Sequence, residues 1–164
     1  MDTLLLCRVA AFALALLAAG CATFDSLPTG APAAQVEAAV GTPSTVWKNP
    51  DGTETWEYPL GPLGTETYMI TMGPDRSVRQ VRQVLNDQNI SALKQGMLRD
   101  DVRRMLGKPG SINYSERLNE EVWYWRYREW NTRKMELYVQ FDRPTGALKT
   151  VTRYQIDTSD GKRN

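Results

Sequence analysis

The chain has 164 residues, a net charge of +1 and no histidine. This length accommodates one ordinary domain or two very small ones that share a core. The near-neutral charge gives no reason to expect nucleic acid, and the lack of histidine excludes Ser-His, Cys-His and histidine-bound zinc sites. We therefore predict a protein without cofactor, metal or enzymatic activity.

The first 20 residues have the features of a secretory signal. Val9 to Ala19 is an uncharged apolar run, about 16 Å long as a helix and therefore too short for a hydrocarbon core of about 30 Å. The run ends in Leu17-Ala18-Ala19-Gly20-Cys21, which resembles the cleavage site of bacterial lipoproteins, where the cysteine becomes lipid-modified. An ordinary secretory signal with an accidental Cys21 is the alternative.

The lipoprotein resemblance has consequences for location. Ala22, rather than aspartate, follows the cysteine, which by similarity to lipoprotein sorting in Gram-negative bacteria implies the outer membrane, with the protein on its periplasmic face. Cys7 would leave with the signal and Cys21 would carry lipid, so no thiol remains for a disulfide. Residues 21–29 are then expected to be a tether between the lipid and the folded part.

A short helical pattern occurs twice. The segment from Gly96 to Pro109 reads GMLRDDVRRMLGKP. A degenerate copy of it, GAPAAQVEAAVGTP, lies 66 positions earlier at Gly30 to Pro43. In the later copy the apolar residues fall at i, i+3 and i+4, which predicts a helix over about Arg99 to Leu106 with one buried face. The glycine and proline that follow each copy end the helix. The earlier copy predicts a helix over about Ala33 to Val40.

Strand patterns follow each helix. Those of the first unit are Thr45 to Lys48, Trp56 to Leu60, Tyr68 to Met72 and Ser77 to Leu85. Those of the second are Ile112 to Ser115, Glu121 to Trp130, Leu137 to Phe141 and Ala147 to Tyr154. In the clearest of these segments aromatic and apolar residues alternate with polar ones, as in strands with one buried face. Ser77 to Leu85 fits a helix about as well as a strand with a bulge, and a strand is chosen because the matching segment, Ala147 to Tyr154, is richer in strand formers. Asn86 to Gln95 is a further candidate helix.

These patterns predict an α+β fold of two tandem units, each with one or two short helices packed on a small antiparallel sheet. The units span residues 30–85 and 86–156, and the polar residues 157–164 are expected to be disordered. Trp56-Glu57-Tyr58 is matched to Trp125-Arg126-Tyr127, and the separation of matched residues grows to 69 and then 70. Such growth is typical of insertions in loops.

Residues of the second unit resemble the SmpA/OmlA (BamE-like) family over about residues 88–154. The matching positions are Leu93-Lys94-Gln95-Gly96-Met97, Val102, Leu106-Gly107-x-Pro109, Trp125-x-Tyr127 and Leu137-Tyr138-Val139-x-Phe141-Asp142. The resemblance implies short helices on an antiparallel sheet and a non-catalytic scaffold in an outer-membrane lipoprotein. The implied partner is the β-barrel assembly machinery. Tandem copies are also similar to the β-lactamase inhibitor protein architecture, which binds an enzyme across its sheet.

The stretch EVWYWRYREW at 121–130 is the candidate binding site. In a strand, Trp123, Trp125 and Tyr127 share one face, which the match to the first unit assigns to the core. The outward row, with Tyr138 on the next strand if the two pair as a hairpin, gives the predicted partner-binding residues Tyr124, Arg126, Arg128, Trp130 and Tyr138. Tyr, Trp and Arg are the residue types enriched in binding hot spots.

Two other interpretations of this row remain open. It is either a cross-strand surface cluster worth about 0.2 to 1 kcal/mol per pair, or a surface that touches anionic lipid headgroups. The outward positions of the first unit, Thr55, Glu57 and Pro59, are expected to be ordinary solvated surface.

The leading hypothesis is a non-catalytic, outer-membrane-anchored lipoprotein that acts as a scaffold or assembly factor in the cell envelope. The alternative is a protein inhibitor or binder of a periplasmic enzyme. A hydrolase that acts on the cell wall through carboxylates ranks third, because the adjacent pairs Asp100-Asp101 and Glu120-Glu121 diverge on a helix or strand and do not converge on a substrate.

Overall fold

The computed structural model describes residues 23–61, 63–130 and 132–156. The predicted signal peptide, Cys21 and the predicted disordered tail lie outside the described residues. Three α-helices are present in the described part: α1 (Ala33–Val40), α2 (Asp87–Ser91) and α3 (Arg99–Leu106). The strands are β1 (Thr45–Lys48), β2 (Glu54–Pro59), β3 (Thr67–Met72), β4 (Val78–Gln83), β5 (Ser111–Ser115), β6 (Glu120–Glu129), β7 (Arg133–Asp142) and β8 (Leu148–Gln155). None of the helices in this part is long and apolar enough to span a membrane.

The strands form two antiparallel sheets of four strands each, in the orders β1-β2-β3-β4 and β5-β6-β7-β8. The predicted α+β class is wrong, because the described chain is mostly β, with two four-stranded antiparallel sheets and only three short α-helices. An eight-residue helix such as α3 makes only about two turns and turns few side chains inward. Strands β6 and β7 have ten residues each, and every second side chain can enter the core. The strands therefore provide most of the buried surface.

The boundaries of individual elements were predicted more successfully than the class. Helices α1 and α3 have the predicted bounds, and each ends at a glycine, Gly41 or Gly107, with φ of 85° or 83°. With ψ near 180°, this backbone region is accessible essentially only to glycine. Helix α2 is shorter than predicted, since the chain turns at Ala92 instead of continuing to Gln95.

Each sheet buries one face against its own helix. In the first half, Ala33 and Val36 of α1 pack with the inward residues Trp56, Tyr58, Tyr68, Ile70 and Met72. Phe24, within the predicted tether, stacks on Tyr68 with ring centroids 4.4 Å apart. In the second half, Val102 and Leu106 of α3 pack with Trp123, Trp125, Tyr127, Leu137, Val139 and Phe141.

The strand register corrects the sequence match between the halves. Trp56 donates its indole N–H to Glu54 two residues earlier, and Trp123 does the same to Glu121. Glu54 and Glu121 both lie opposite the residue at the β-bulge of the next strand. Trp56 therefore corresponds to Trp123, not to Trp125. Because the error is two residues, it leaves the assignment of inward and outward faces unchanged.

The outer face of the first sheet is buried too. Glu57 is 0% exposed, which contradicts the prediction that it belongs to solvated surface. Since Trp56 and Tyr58 face α1, Glu57 between them faces the opposite side, where α3 of the second half lies against it. Helix α3 therefore packs against both sheets, and the layers follow the order α1, first sheet, α3, second sheet.

Candidate functional site

The candidate site lies on the outer face of the second sheet, the face turned away from α3. The predicted hairpin of β6 and β7 is confirmed, with Tyr124 opposite Tyr138 and Arg126 opposite Glu136. The predicted burial of Trp125 and Tyr127 is also confirmed, since they are 2% and 0% exposed. The side chains that alternate with them therefore point outward.

Five outward side chains form one connected group: Tyr124, Arg126, Glu136, Tyr138 and Tyr154. We call this group the open face. The hydroxyl of Tyr124 donates to one oxygen of Glu136 (2.9 Å), and the hydroxyl of Tyr138 donates to the other (3.1 Å). Arg126 Nε donates to the Tyr124 hydroxyl oxygen (2.7 Å).

The rings of the open face contact one another across three strands. Tyr124 and Tyr138 have centroids 5.2 Å apart and tilted planes, and Tyr138 and Tyr154 meet edge to face at 5.7 Å. Such arrangements are the favoured geometries of aromatic pairs. Because hydrogen bonds and ring contacts hold these side chains in place, a partner would meet a preorganised surface and immobilise fewer side chains on binding.

Burial and hydrogen bonding determine the electrostatics of this group. Partial burial raises the pKa of Tyr124, and Glu136 raises it further, while the hydrogen bond from Arg126 opposes the shift. Partial burial and the carboxylate of Glu136 likewise raise the pKa of Tyr138. The hydrogen bond to Tyr124 raises the pKa of Arg126. Both tyrosines are therefore neutral hydrogen-bonding groups at neutral pH, and Arg126 is cationic.

The hairpin end of this surface is basic. Arg128 and Lys134 lie opposite each other on β6 and β7, and both are exposed. Within the described part of the chain, Arg126, Arg128 and Lys134 form no ion pair. Arg126 and Lys134 thus give this surface two cations against one carboxylate, Glu136, which favours an acidic partner surface. Arg128 also borders the carboxylates of Asp25 and Glu66.

Two of the predicted binding residues lie apart from the open face. Arg128 borders an open cavity of about 610 Å³ between the halves, whose other lining residues are Asp25, Glu66, Tyr68, Gln83 and Asn86. Trp130 lies beyond the end of β6, in a turn with φ of 50°, and is 78% exposed. Its backbone N–H donates to Asp87 Oδ2 (2.8 Å). Strand alternation does not extend to Trp130, because the strand ends at Glu129.

Sequence reasoning missed two members of the open face. Glu136 was not among the predicted binding residues, although it is the residue that links the two tyrosine hydroxyls. Tyr154 on β8 lies opposite Glu136 and is 57% exposed. The alternation of residues along β8 could have indicated that Tyr154 points outward. The side chains next to it depend on the order of strands in the sheet.

The equivalent surface of the first sheet is occupied by α3. We call it the seat, defined by Thr45, Glu57, Thr67 and Met69. Arg103 of α3 pairs with Glu57 (3.3 Å) and donates to the Thr45 hydroxyl (3.0 Å). The backbone N–H of Lys108 also donates to Glu57.

The contact between α3 and the seat is close. Arg103 and Arg104 both lie over the ring of Trp47, with Cζ 5.7 and 5.6 Å from its centroid. A Cβ atom on Gly107 would overlap the Thr67 methyl group and lie 3.1 Å from Glu57 Oε1. A glycine at this position lets the helix end approach the sheet.

Two of the carboxylates considered for catalysis are engaged in separate ion pairs. Glu120 pairs with Lys149, and Glu121 pairs with Arg99 at 2.9 Å. The two side chains thus bind different cations and do not face a common space. No group of three potential metal-ligating side chains occurs in the ranges that the structure describes.

Comparison with known proteins yields distant structural likenesses. No family profile matches the sequence, and no curated protein matches it at a significant level. A protein described as a candidate β-lactamase inhibitor from Streptococcus mutans is 14% identical, with a TM-score of 0.31 over 80% of this chain and 92% of that one. The similarity to this protein is weak.

Two further solved structures are similar at the same level. An extracellular protein with an SCP domain from Bacillus anthracis is 16% identical, with a TM-score of 0.32 over 83% of this chain and 46% of that one. The chain thus spans less than half of that protein. A DUF4309 family protein, YjgB, from Bacillus subtilis is 14% identical, with a TM-score of 0.29 over 75% of this chain and 77% of that one.

Proposed function

We propose that the protein is a non-catalytic binding module of the cell envelope and that it binds another protein through the open face. The observation that carries the proposal is the hydrogen-bonded group of Tyr124, Arg126, Glu136 and Tyr138 on the uncovered side of the second sheet. Tyrosine and arginine are residue types enriched in binding hot spots, and here these side chains are half-buried and hydrogen-bonded. The corresponding surface of the first sheet is already in contact with α3.

The proposed location is the periplasmic face of the outer membrane, with a lipid on Cys21. The sequence at 17–21 and the residue after the cysteine support this location. Cys21→Ser should release the protein from the membrane or leave an uncleaved precursor. Metabolic labelling with a fatty-acid analogue checks this, and a wild-type protein that takes up no label would exclude the anchor.

The proposed role is a scaffold or assembly factor, with the β-barrel assembly machinery as the candidate partner. The sequence resemblance to the SmpA/OmlA family over about residues 88–154 supports this role. The alternative, an inhibitor or binder of a periplasmic enzyme, uses the same surface. The partner's identity separates the two: the scaffold role predicts a barrel-assembly component, and the alternative predicts a soluble enzyme whose activity falls on binding.

The test is a comparison of captured proteins. Wild type and the Tyr124→Ala/Arg126→Ala variant are used as baits in detergent-solubilised membranes, and captured proteins are quantified by mass spectrometry. The double variant should lose at least about tenfold in partner capture, equivalent to about 1.4 kcal/mol, with little change in melting temperature.

A matched control is Tyr114→Ala/Arg117→Ala. It removes an exposed tyrosine and an exposed arginine from β5 and the turn after it, away from the open face. This control should capture the partner as well as wild type does. Unchanged capture by a folded Tyr124→Ala/Arg126→Ala variant would place the interface elsewhere.

A further inference from the structure

We infer that the occupant of the open face is a second copy of this chain, which places its helix α1 there as α3 is placed on the seat. The inference rests on the proposed function, since it concerns the same binding surface, for which a second copy and a barrel-assembly component would compete. It follows from the order of the layers, from the contact that α3 makes within one chain, and from the charges at the two free ends of the layered structure.

The layers leave two free surfaces of matching kind. In the order α1, first sheet, α3, second sheet, the inner helix contacts a sheet on each side. The outer side of α1 and the outer face of the second sheet lie at opposite ends. The layered structure thus ends in a helix on one side and in a sheet on the other. A second copy stacked on it would continue the alternation of helix and sheet.

Helix α1, which would bind the open face of the next copy, ends with the same backbone conformation as α3. Gly41 ends α1 with φ of 85°, and Gly107 ends α3 with φ of 83°. At Gly107 the space that a Cβ would need is filled by the seat, whereas at Gly41 nothing lies within 4 Å of that position. The end of α1 thus has the glycine that lets α3 approach a sheet closely, and this end of α1 is uncovered.

The outer side of α1 also permits close approach. Its exposed side chains include Ala34, Glu37 and Ala38. The two alanines are small enough to let a sheet approach the helix backbone. In the described part of the chain, Glu37 forms no ion pair, so its carboxylate is available to a neighbour.

The charges at the two free surfaces are the reverse of those at the internal contact. Glu37 lies 66 positions before Arg103, the separation that also relates Val36 to Val102. On the sheet side, Tyr124 takes the place of Glu57, and Arg126 donates to its hydroxyl. The Arg126 guanidinium therefore stands beside the position where the seat has a carboxylate. The nearby carboxylate of Glu136 already accepts hydrogen bonds from the hydroxyls of Tyr124 and Tyr138.

The reversed charges favour α1 over α3 as the helix that binds the open face of another copy. Glu37 of one copy would meet Arg126 of the next with opposite charges, while Arg103 against Arg126 would bring two cations together. Opposite charges favour a contact and like charges oppose it. The contact joins different surfaces of the two copies, so it is heterologous and leads to an open chain or a ring rather than an isologous dimer.

A charge exchange between the two surfaces tests the inference. Full-length protein in detergent is followed by sedimentation velocity up to about 1 mM, because a contact with one partly exposed ion pair is expected to be weak and sensitive to salt. Wild type should associate. Glu37→Arg and Arg126→Glu should each weaken association by about tenfold or more, since each places like charges at the contact.

The decisive samples are the combinations. The Glu37→Arg/Arg126→Glu double variant should regain association, and so should an equimolar mixture of the two single variants, because both restore opposite charges. Arg82→Glu makes the same charge change at an exposed position of β4 and should behave as wild type. Melting temperatures confirm that each variant is folded. If Arg126→Glu does not fold, Arg126→Gln is used in its place.

The inference is overturned by wild type that stays monomeric over the whole range, by single variants that associate normally, or by a double variant no better than the single ones. These results leave the proposed function standing if the open face still captures a different protein. If the open face captures no protein at all, both proposals are overturned.

Discussion

The outer faces of the two sheets differ more than their sequences suggest. On its inner face each sheet contains a tryptophan that donates to a glutamate two residues earlier on the same strand. In the first sheet the next outward residue, Glu57, is fully buried beneath α3, whereas Tyr124 at the corresponding place in the second sheet is only half-buried. Strand alternation identifies a face, but only the element packed on that face decides whether it is core or surface.

The largest effect should come from the inner face of the second sheet. Trp125→Ala should cost about 3 to 5 kcal/mol, because it removes a large buried side chain. Trp130→Ala, at 78% exposure, should cost little. Chemical denaturation of both variants checks this contrast. Equal losses would mean that the inward and outward assignment of β6 is wrong.

The two helix-ending glycines separate the cost of backbone strain from the cost of the contact between halves. Gly41→Ala should lose about 1 to 3 kcal/mol from the unfavourable backbone region. Gly107→Ala should lose that amount and about 1 to 3 kcal/mol more, because the added methyl group overlaps Thr67. Thermal unfolding measures both. If the two variants lose the same stability, α3 does not pack closely on the seat.

Corresponding outward residues of the two sheets should respond differently to removal of one polar group. Glu57→Gln removes the charge that pairs with Arg103 and should cost about 1.5 to 3 kcal/mol. Tyr124→Phe removes hydrogen bonds on a half-buried surface and should cost at most about 1 kcal/mol. Urea unfolding provides the comparison, and a larger loss for Tyr124→Phe would reverse our description of the two faces.

A further effect should be an alkaline loss of stability, to which the first half contributes through Tyr58 and Tyr68. Burial, assisted by Glu37, raises the pKa of Tyr58 to about 12, and burial, assisted by Glu66, raises that of Tyr68 to about 12. Between pH 10.0 and about 12 the folded state therefore holds more protons than the unfolded state, and stability falls as pH rises.

Two variants test the origin of this alkaline effect. Tyr58→Phe should flatten the dependence of melting temperature on pH in this window. Tyr114→Phe, which removes an exposed tyrosine, should leave it unchanged. Ultraviolet titration at alkaline pH follows ionisation directly. Ionisation of all tyrosines near pH 10.0, their ordinary value, would exclude the proposed burial of Tyr58 and Tyr68.

Local patterns in the sequence predicted local features. Helices α1 and α3, the β6–β7 hairpin and the burial of Trp125 depend on residues close in the chain, through helical periodicity, glycine stops and strand alternation. These signals survive even a two-residue error in matching the halves, since an even shift preserves the face of every side chain.

The features that were not predicted depend on packing between distant segments. The burial of Glu57 requires α3, whose Arg103 is 46 residues away along the chain. The open face requires β8, which brings Tyr154 beside Tyr138. The balance of strand to helix was misjudged because the sequence marks where a helix occurs but not how little of the core eight residues provide.

Site-specific photo-crosslinking in intact cells tests the difference between the two outer faces most directly. A photoreactive phenylalanine analogue replaces Tyr138 on the open face or, in a separate strain, Arg82, an exposed residue of the first sheet. Our account predicts protein adducts from position 138 and none from position 82. Adducts from neither position, or from position 82 alone, would contradict the conclusion that the open face is the protein-binding surface.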